Sequence, residues 1–347
     1  KPSDYFNTLL YTGDDADRSF TGVGFQPDLT WIKARNNTTW HLLYDAVRTA
    51  GTGKELHSNS TQTEGASNSS LYGYLSSFDS DGFSTVNGSN ATDALNQSGK
   101  TYAAWNWKAG TSFTNDASAT GIGSIDSSGS VNQDAGFSIC SYTGAGGVIT
   151  VKHGLNTVPS VIITKNLADA NHWGVYHHKN TTAPQTDFLY LSDTRATTDD
   201  ATMWNDTAPT SSIFTAGDHS SSNRSGDAMI AYCFAEKQGY SKFGSYTGNG
   251  NADGTFVYTG LKPAFVMIKV TSTTSNWGMF DNKRLGFNPK NEFVRANETT
   301  TESSDYDGID FLSNGFKLKT TSTLVNAAQS YIYMAFAENP FVTSTGV

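Results

Sequence analysis

One short pattern occurs three times along the chain, and its spacing limits the folds that the chain can adopt. A proline opens each occurrence and a lysine follows six residues later, at Pro27 and Lys33, Pro159 and Lys165, and Pro263 and Lys269. A glycine precedes each proline, at Gly24, Gly154 and Gly260. Identical spacing at three separate places indicates three tandem copies of one unit, called here copies one, two and three.

The repeated pattern predicts a β-strand, which we call the organising strand. Proline is tolerated at the first position of a strand, so the strand is expected to begin there. Apolar and β-branched residues then occupy both faces, as Trp31 and Ile32 do in copy one. Because both faces are apolar, we expect this strand to be central in its sheet.

Three further strands recur around the organising strand. An opening strand ends in Tyr-Thr-Gly, and 104 residues separate Ser141 from Ser245 in two of its copies. An aromatic strand follows the organising strand, and an aromatic closing strand ends each copy with large side chains at period two. The aromatic strands are His41 to Asp45, Trp173 to His177 and Trp277 to Asp281; the closing strands are Thr101 to Lys108, Met229 to Glu236 and Tyr331 to Glu338.

Hairpins are predicted at Phe78 to Phe83 and at Phe311 to Phe316. Asp-Gly or Asn-Gly stands between apolar residues in both, which favours a type I′ turn with two residues at positive φ. Helices are not expected, because no segment keeps apolar residues at helical spacing.

These elements predict an all-β protein of three tandem antiparallel β-sandwich domains, jelly-roll or lectin-like, strung along the chain with separate two-layer cores. The predicted domains are residues 1–116, 134–237 and 238–347. Residues 117–133 are rich in Gly and Ser and are interpreted as a linker or an added edge strand. Copies two and three are joined by only a few residues near Gln238, which predicts a stiffer junction.

Composition narrows the functional classes. Charged residues make up 16% of the chain, aromatic residues 12%, and the net charge is −9 without a cationic run. Nucleic acid is therefore not an expected partner, since binding to phosphates needs clustered cations. No apolar run reaches the roughly 18–20 residues of a membrane span, so membrane insertion is not expected. Low charge with many aromatic residues favours an extracellular or particle-surface protein, and the start at Lys1 without Met indicates part of something longer.

The two cysteines, Cys140 and Cys233, fall in the first and last strands of copy two. If those strands are sheet neighbours, the sulfurs could lie within bridging range. The alternative is two small buried hydrophobic side chains.

We expect no cofactor and no metal site. His172 and His178 have the same strand parity and could reach one ion, but no further ligand completes the set. Acidic loops can hold calcium in lectin-like sandwiches, yet none has EF-hand spacing, so solvated turns are the preferred interpretation. These loops contain Asp14, Asp15 and Asp17; Asp79 and Asp81; Asp199 and Asp200; and Asp305, Asp307 and Asp310.

No enzymatic activity is expected. Glycan hydrolysis needs two carboxylates across a cleft, and the candidates Glu55 with Glu64, and Glu292 with Glu298 and Glu302, lie in polar connections without a companion motif. A Gly-x-Ser-x-Gly elbow and a phosphate-binding loop are both missing from the sequence.

Aromatic residues outside the repeated strands are the candidate ligand contacts, because sugar rings stack on such faces. They are Trp40, Trp204, Tyr72 and Tyr74, in loops or in segments that only one copy has. The alternative is that some of them cap the cores.

The chain resembles a repeat domain found in marine bacteriophage genomes. Two motifs carry the resemblance: Gly-x-x-Pro followed by alternating apolar residues and Lys, and Phe-x-x-(Asp/Asn)-Gly-Phe. Two segments add to it, Tyr102 to Gly110 and Asn132 to Gly144. That domain occurs in tail-fibre and other virion proteins of unassigned function. The resemblance covers nearly the whole chain, but it supplies no site residues.

The resemblance implies an extracellular protein of the virion surface. A tail fibre that contacts a host surface glycan or protein is an example. Other virion proteins are expected partners, and a fibre would be a homotrimer. A structural spacer or capsid decoration that binds only virion proteins is the alternative, and a depolymerase is a third hypothesis.

Overall fold

The computed structural model describes residues 1–89, 94–304 and 308–338, and within them the regular structure is almost all antiparallel β-strand. The helices in these ranges are short: a 3-10 turn at Pro2–Asp4, α1 (Ser69–Tyr72), α2 (Ala117–Thr120) and α3 (Ala201–Trp204). None of these helices is long and apolar enough to span a bilayer. The all-β prediction is confirmed.

Copy one folds into two sheets. Its strands are β1 (Phe6–Thr12), β2 (Arg18–Thr21), β3 (Leu29–Ala34), β4 (Leu42–Asp45), β5 (Tyr74–Asp79), β6 (Gly82–Val86) and β7 (Thr101–Trp107). The main sheet has the order β1-β7-β3-β4 and the second sheet the order β2-β6-β5. The organising strand β3 therefore lies inside its sheet, between the closing and aromatic strands, as its two apolar faces predict.

Copy two repeats this main sheet and extends it at both edges. Its strands, with those that precede it, are β8 (Thr111–Asn115), β9 (Ser127–Asn132), β10 (Phe137–Thr143), β11 (Ile149–Lys152), β12 (Val161–Asn166), β13 (Gly174–His177), β14 (Asp187–Tyr190), β15 (Thr198–Asp199), β16 (Ile213–Ala216) and β17 (Ala228–Phe234). The order is β15-β14-β13-β12-β17-β10-β9-β8, and β11 and β16 form the second sheet.

Copy three has the same plan. Its strands are β18 (Ser241–Thr247), β19 (Phe256–Tyr258), β20 (Pro263–Val270), β21 (Gly278–Asp281), β22 (Val294–Arg295), β23 (Ile309–Leu312), β24 (Gly315–Leu318) and β25 (Ser330–Ala337). The main sheet has the order β18-β25-β20-β21-β22 and the second the order β19-β24-β23. Opening, closing, organising and aromatic strands thus pair in the same order in all three copies.

The Gly/Ser-rich segment after copy one, interpreted as a linker or an added edge strand, contains an added strand of the copy-two sheet, but this strand is not at the edge. Strand β9 pairs with β10 on one side and with β8 on the other. Strand β8 lies within the range assigned to copy one, yet it is part of the copy-two sheet.

The organising strands begin close to where the prolines predict. Strand β20 starts at Pro263 itself, whereas β3 and β12 start two residues after their prolines, at Leu29 and Val161. The predicted start is correct for copy three and two residues early for the others.

The two predicted hairpins form, but their turns differ from the prediction. Phe78 pairs with Phe83 and Phe311 with Phe316, so the glycines Gly82 and Gly315 already belong to the second strand. A Cβ at Gly82 would lie 2.0 Å from the Phe20 carbonyl oxygen, and one at Gly315 would lie 2.0 Å from that of Val257. These glycines therefore allow close approach of a neighbouring strand instead of forming a type I′ turn.

The three copies share one core, so the expected row of sandwiches with separate cores is not what the structure shows. A single cluster of buried side chains, the shared core, contains residues from every main sheet. The period-two faces of the closing strands meet there, contributing Trp105 and Trp107, Tyr232 and Phe234, and Met334 and Phe336. Phe6 and Phe336, near opposite ends of the chain, stack there with ring centroids 5.3 Å apart.

Each copy also has a local core between its main and second sheets. Along the organising strand, Trp31 faces the shared core while Ile32 faces the local core of copy one, and Ile163 and Ile162 divide in the same way in copy two. The two apolar faces of this strand thus have two different partners.

Hydrogen bonds between copies close a ring. Trp173 of copy two donates its indole N–H to the His57 carbonyl of copy one at 2.9 Å, and Trp277 of copy three donates to the Tyr190 carbonyl of copy two at 2.9 Å. At the matching position of copy one, His41 Nε2 bonds the Arg295 carbonyl of copy three at 3.0 Å. Each copy therefore contacts the preceding one through the same position, and copy one contacts copy three, as in a closed heterologous ring.

Candidate functional site

The candidate aromatic residues separate into two groups in the structure. Trp204 is 2% exposed in the local core of copy two, and Tyr74 on β5 packs against the local core of copy one. Trp204 therefore has no ring face open to a ligand. Trp40 and Tyr72, by contrast, line one pocket.

This pocket, called here the copy-one pocket, has a volume of about 480 Å³. Its walls come from the loop between β3 and β4, from the segment around Glu55 to His57, and from α1 with the residues before it. The short helix is fixed at its start by Asn68, whose side chain accepts a hydrogen bond from the Ser70 N–H at 3.1 Å. A pocket of this size fits a small ligand.

Two residues of the pocket wall each have a buried oxygen without a hydrogen-bond partner among the described residues. These oxygens are Glu55 Oε2 and Thr39 Oγ1. Glu55 is 1% exposed, and its other oxygen accepts the Ser67 N–H at 2.8 Å. Burial raises the pKa of the Glu55 carboxyl above its usual value. An unpartnered buried polar atom is costly, so a hydrogen-bond donor brought to either oxygen would lower the free energy of the fold.

His57 and Ser67 complete the polar lining. His57 Nε2 lies 3.0 Å from Ser67 Oγ, and His57 Nδ1 lies 3.0 Å from the His41 carbonyl oxygen. The Trp40 ring stands edge-on to the His57 ring, with centroids 4.4 Å apart. Burial lowers the pKa of His57 to about 4, so its ring is neutral at neutral pH.

The sequence predicted Trp40 and Tyr72 as ligand contacts. Glu55 was considered only as a carboxylate for glycan hydrolysis, an activity that was not expected, and His57, Ser67 and Thr39 were not singled out. His57 and Ser67 belong to the long Ser-, Thr-, Asn- and Gly-rich stretch after β4, where a single Ser or His gives no signal of its own. The sequence gives one weak signal here, the apolar Leu56 between Glu55 and His57 within this polar stretch. All three residues are buried in the structure.

The glutamates considered for glycan hydrolysis form ion pairs, except Glu55. Glu64 pairs with Arg48, Glu302 with Arg35 and Arg284, Glu292 with Arg35, and Glu298 with Arg295. The contact of Arg35 with Glu302 joins copy one to copy three and so helps to close the ring.

Within the described residues no group of three or more His, Cys, Asp or Glu side chains is placed to hold a metal ion. His172 Nε2 accepts from Arg195 and His178 Nε2 bonds the Phe243 carbonyl, so the two rings have separate partners. Among the acidic loops, Asp81 accepts the N–H groups of Gly22 and Gly24 and Asp200 caps α3. Asp305 and Asp307 lie outside the described residues.

Cys140 and Cys233 are free and buried. Their strands β10 and β17 are neighbours, as the disulfide hypothesis required, but Cys233 is opposite Ser138 and Cys140 is opposite Ala231. The sulfurs are thus offset along the ladder, and the Cys140 thiol bonds the Lys152 carbonyl at 3.2 Å.

Each of the three repeated lysines is buried, and its amino group donates hydrogen bonds to backbone carbonyls. Lys33 Nζ donates to the carbonyls of Ala34 and Asn37, Lys165 Nζ to those of Thr61 and Asn171, and Lys269 Nζ to those of Thr194 and Ser275. Burial lowers their pKa values to about 7, 7 and 8 respectively. Thr61 and Thr194 belong to the preceding copy, so two of these lysines also hold neighbouring copies together.

Comparison with curated proteins finds no match, and comparison with solved structures finds none. A family model described as a domain of unknown function, DUF7483, matches residues 1–340 and so extends across all three copies. The chain belongs to the DUF7483 family.

Proposed function

We propose that the protein is an attachment protein of a virion or another extracellular surface, and that its copy-one pocket binds a glycan. The observation that carries the proposal is the meeting of Trp40 and Tyr72 with two buried, unpartnered oxygens, Glu55 Oε2 and Thr39 Oγ1. The pocket therefore combines aromatic rings with polar atoms that can accept hydrogen bonds.

A sugar matches this lining chemically. Its C–H face packs on an aromatic ring, while its hydroxyls donate hydrogen bonds to carboxylate and hydroxyl oxygens. Leaving a buried acceptor unpaired costs about 1–3 kcal/mol, which a ligand hydroxyl would offset. Mostly apolar walls with a few placed polar groups are typical of ligand sites.

The virion part of the proposal is supported by the resemblance of the repeated motifs and by the low charge and high aromatic content. In this proposal the partners are a host surface glycan or protein together with other virion proteins. The homotrimer expected for a fibre stays a prediction.

One observation favours the alternative, a spacer or decoration protein that binds only virion proteins. Phe256 and Tyr258 point outward from β19, an edge strand of its three-stranded sheet, and are 44% and 66% exposed. Exposed apolar side chains on a sheet edge are suited to contact with another protein chain.

A glycan array with the whole chain separates the two functions. We expect Trp40→Ala and Tyr72→Ala each to weaken binding of the recognised glycan by roughly 5-fold or more, since a lost aromatic stacking contact is worth about 1 kcal/mol or more. Tyr258→Ala removes an exposed ring outside the pocket and is the matched control, with unchanged glycan binding. Full glycan binding by Trp40→Ala, or binding by no glycan at all, would overturn the proposal.

A further inference from the structure

The hydrogen-bonding direction between Ser67 and His57 is fixed by the rest of the structure. A carbonyl oxygen only accepts, so the 3.0 Å contact of His57 Nδ1 with the His41 carbonyl places the ring proton on Nδ1. In the neutral ring, Nε2 is then bare, and it accepts from the Ser67 hydroxyl at 3.0 Å. A serine that donates to an oriented, neutral imidazole is the arrangement of a nucleophile with its general base.

Copy two contains a serine and histidine pair of the opposite direction. Arg195 can only donate, so its 3.0 Å contact with His172 Nε2 leaves the ring proton on Nδ1. His172 Nδ1 therefore donates to Ser192 Oγ, also at 3.0 Å. Ser192 lies at the same distance from an imidazole but is not activated by it, which makes it an internal control.

Ser67 is held in place on the wall of the copy-one pocket. Its N–H bonds Glu55 Oε1 at 2.8 Å, and the Gly65 N–H two residues earlier bonds the Glu55 carbonyl at 3.1 Å. The segment that carries Glu55 and His57 is tied in turn to β4 through the bridge between Leu56 and Leu43. Ser67 itself is partly exposed, whereas His57 is buried beneath it. The hydroxyl is thus accessible from the pocket, and its base is shielded from water.

We propose that Ser67 and His57 form an ester-hydrolysing site, with Ser67 as nucleophile and His57 as general base, acting on a small acyl ester of a hydroxylated ligand. That the alcohol is a sugar rests on the proposed glycan function; the ester cleavage itself does not. Glu55 is a positioning residue, since it holds the backbone of Ser67.

The reaction needs only the ester and water. Ser67 Oγ attacks the ester carbonyl carbon while its proton passes to His57 Nε2. The bond between that carbon and the alcohol oxygen then breaks, and His57 returns the proton to the leaving alcohol. A water molecule next gives a proton to His57 and attacks the acyl carbon on Ser67. The bond between that carbon and Ser67 Oγ breaks, the carboxylic acid leaves, and His57 returns the proton to Ser67 Oγ.

The primary test is labelling of the whole chain with a fluorophosphonate probe, followed by peptide mass spectrometry. We expect the phosphonyl group on Ser67 and none on Ser192. Turnover of p-nitrophenyl acetate should fall roughly 100-fold or more in Ser67→Ala, the size of effect that a nucleophile with its base supplies, and should be unchanged in Ser192→Ala. An unlabelled Ser67, or equal turnover by Ser67→Ala and the parent chain, would overturn the proposal.

A second variant tests the base. His57→Asn keeps Ser67 but removes the bare ring nitrogen, so labelling of Ser67 should be lost while the far-UV circular dichroism spectrum stays that of the parent chain. Persistent labelling of Ser67 in this variant would contradict the role of His57.

The outcome is separable from that of the glycan proposal. Glycan binding and labelling of Ser67 are both measured on the parent chain, so neither result depends on the other. Labelling of Ser67 without any glycan binding would support the ester site and contradict the glycan function; glycan binding without labelling would do the reverse.

Discussion

The buried lysines show how a fold can hold an ionisable side chain away from water. Each of Lys33, Lys165 and Lys269 donates to two backbone carbonyls, and burial lowers its pKa towards neutral pH. The sequence pattern located these lysines correctly as the end of the organising strand. It could not show their burial, because the loops that cover Lys165 and Lys269 include segments of the preceding copy.

These lysines predict a rise of stability with pH. Their folded-state pKa of about 7 to 8 lies below the unfolded value of about 10.4, so the unfolded chain binds more protons between these limits. Between pH 7 and 8.5 each lysine should add up to about 1.4 kcal/mol per pH unit to the free energy of unfolding. The buried histidines, whose pKa values are lowered from about 6.5, act mainly below this window, and the buried tyrosines, raised from about 10, act above it. Cys140 and Cys233 have raised pKa values in the fold and an unfolded pKa of about 8.5, so they oppose the rise at the upper end of the window. The contribution of one lysine is therefore read from the difference between a variant and the parent chain.

Lys165→Met should reduce that slope in urea unfolding measured from pH 7 to 8.5. The exposed Lys179 provides the control, and Lys179→Met should leave the slope unchanged. Equal slopes for Lys165→Met and the parent chain would show that Lys165 stays protonated in the fold.

At the scale of strands, the sequence predicted most of the main sheets. Period-two aromatic residues located the closing strands, and apolar residues on both faces placed the organising strands inside their sheets. The Gly/Ser-rich segment was harder to interpret, because Gly129 suggests flexibility. In the structure a Cβ at Gly129 would lie 1.9 Å from the Ile139 carbonyl oxygen, so this glycine permits close strand contact. Composition alone does not distinguish these two uses of glycine.

Hydrogen exchange can test the strand at this position. The amides of β9 should exchange roughly 100-fold or more slowly than those of an unstructured chain, because β9 has a neighbouring strand on each side. The exposed residues of α2, just before it, serve as the comparison within the same protein. Exchange of Ser128 to Ser130 at unstructured rates would mean that this segment is a linker.

At the scale of the whole molecule, the three copies share one core. The sequence showed the repetition and the two apolar faces of each organising strand, but not that one of these faces is covered by the other copies. The copy-one pocket could not be predicted from the sequence for a similar reason, because separate segments of the chain form it. Trp40 and Tyr72 line one pocket because α1 folds back towards the loop before β4. Trp204 lies in an equally polar stretch of sequence, yet it is buried.

An isolated copy two, residues 134–237, should therefore fail to fold as a monomer. Phe137, Ile163, Trp173, Tyr232 and Phe234 would lose their burial in the shared core. At about 1.5–3 kcal/mol for each large apolar side chain, this loss is comparable to the whole stability of a typical domain. Circular dichroism and size-exclusion chromatography should show an unfolded or self-associated fragment, while the full chain unfolds in one transition. A monomeric, cooperatively unfolding fragment would contradict the shared core.

The ring also brings the first and last strands together. Ser3 and Glu338 line the same crevice, and Glu338 also pairs with Lys262 of copy three. A circular permutant should consequently retain the architecture: a chain reopened at Gln238, with a short linker from Glu338 to Lys1, would preserve the strand pairings of the described residues while changing which copy is synthesised first.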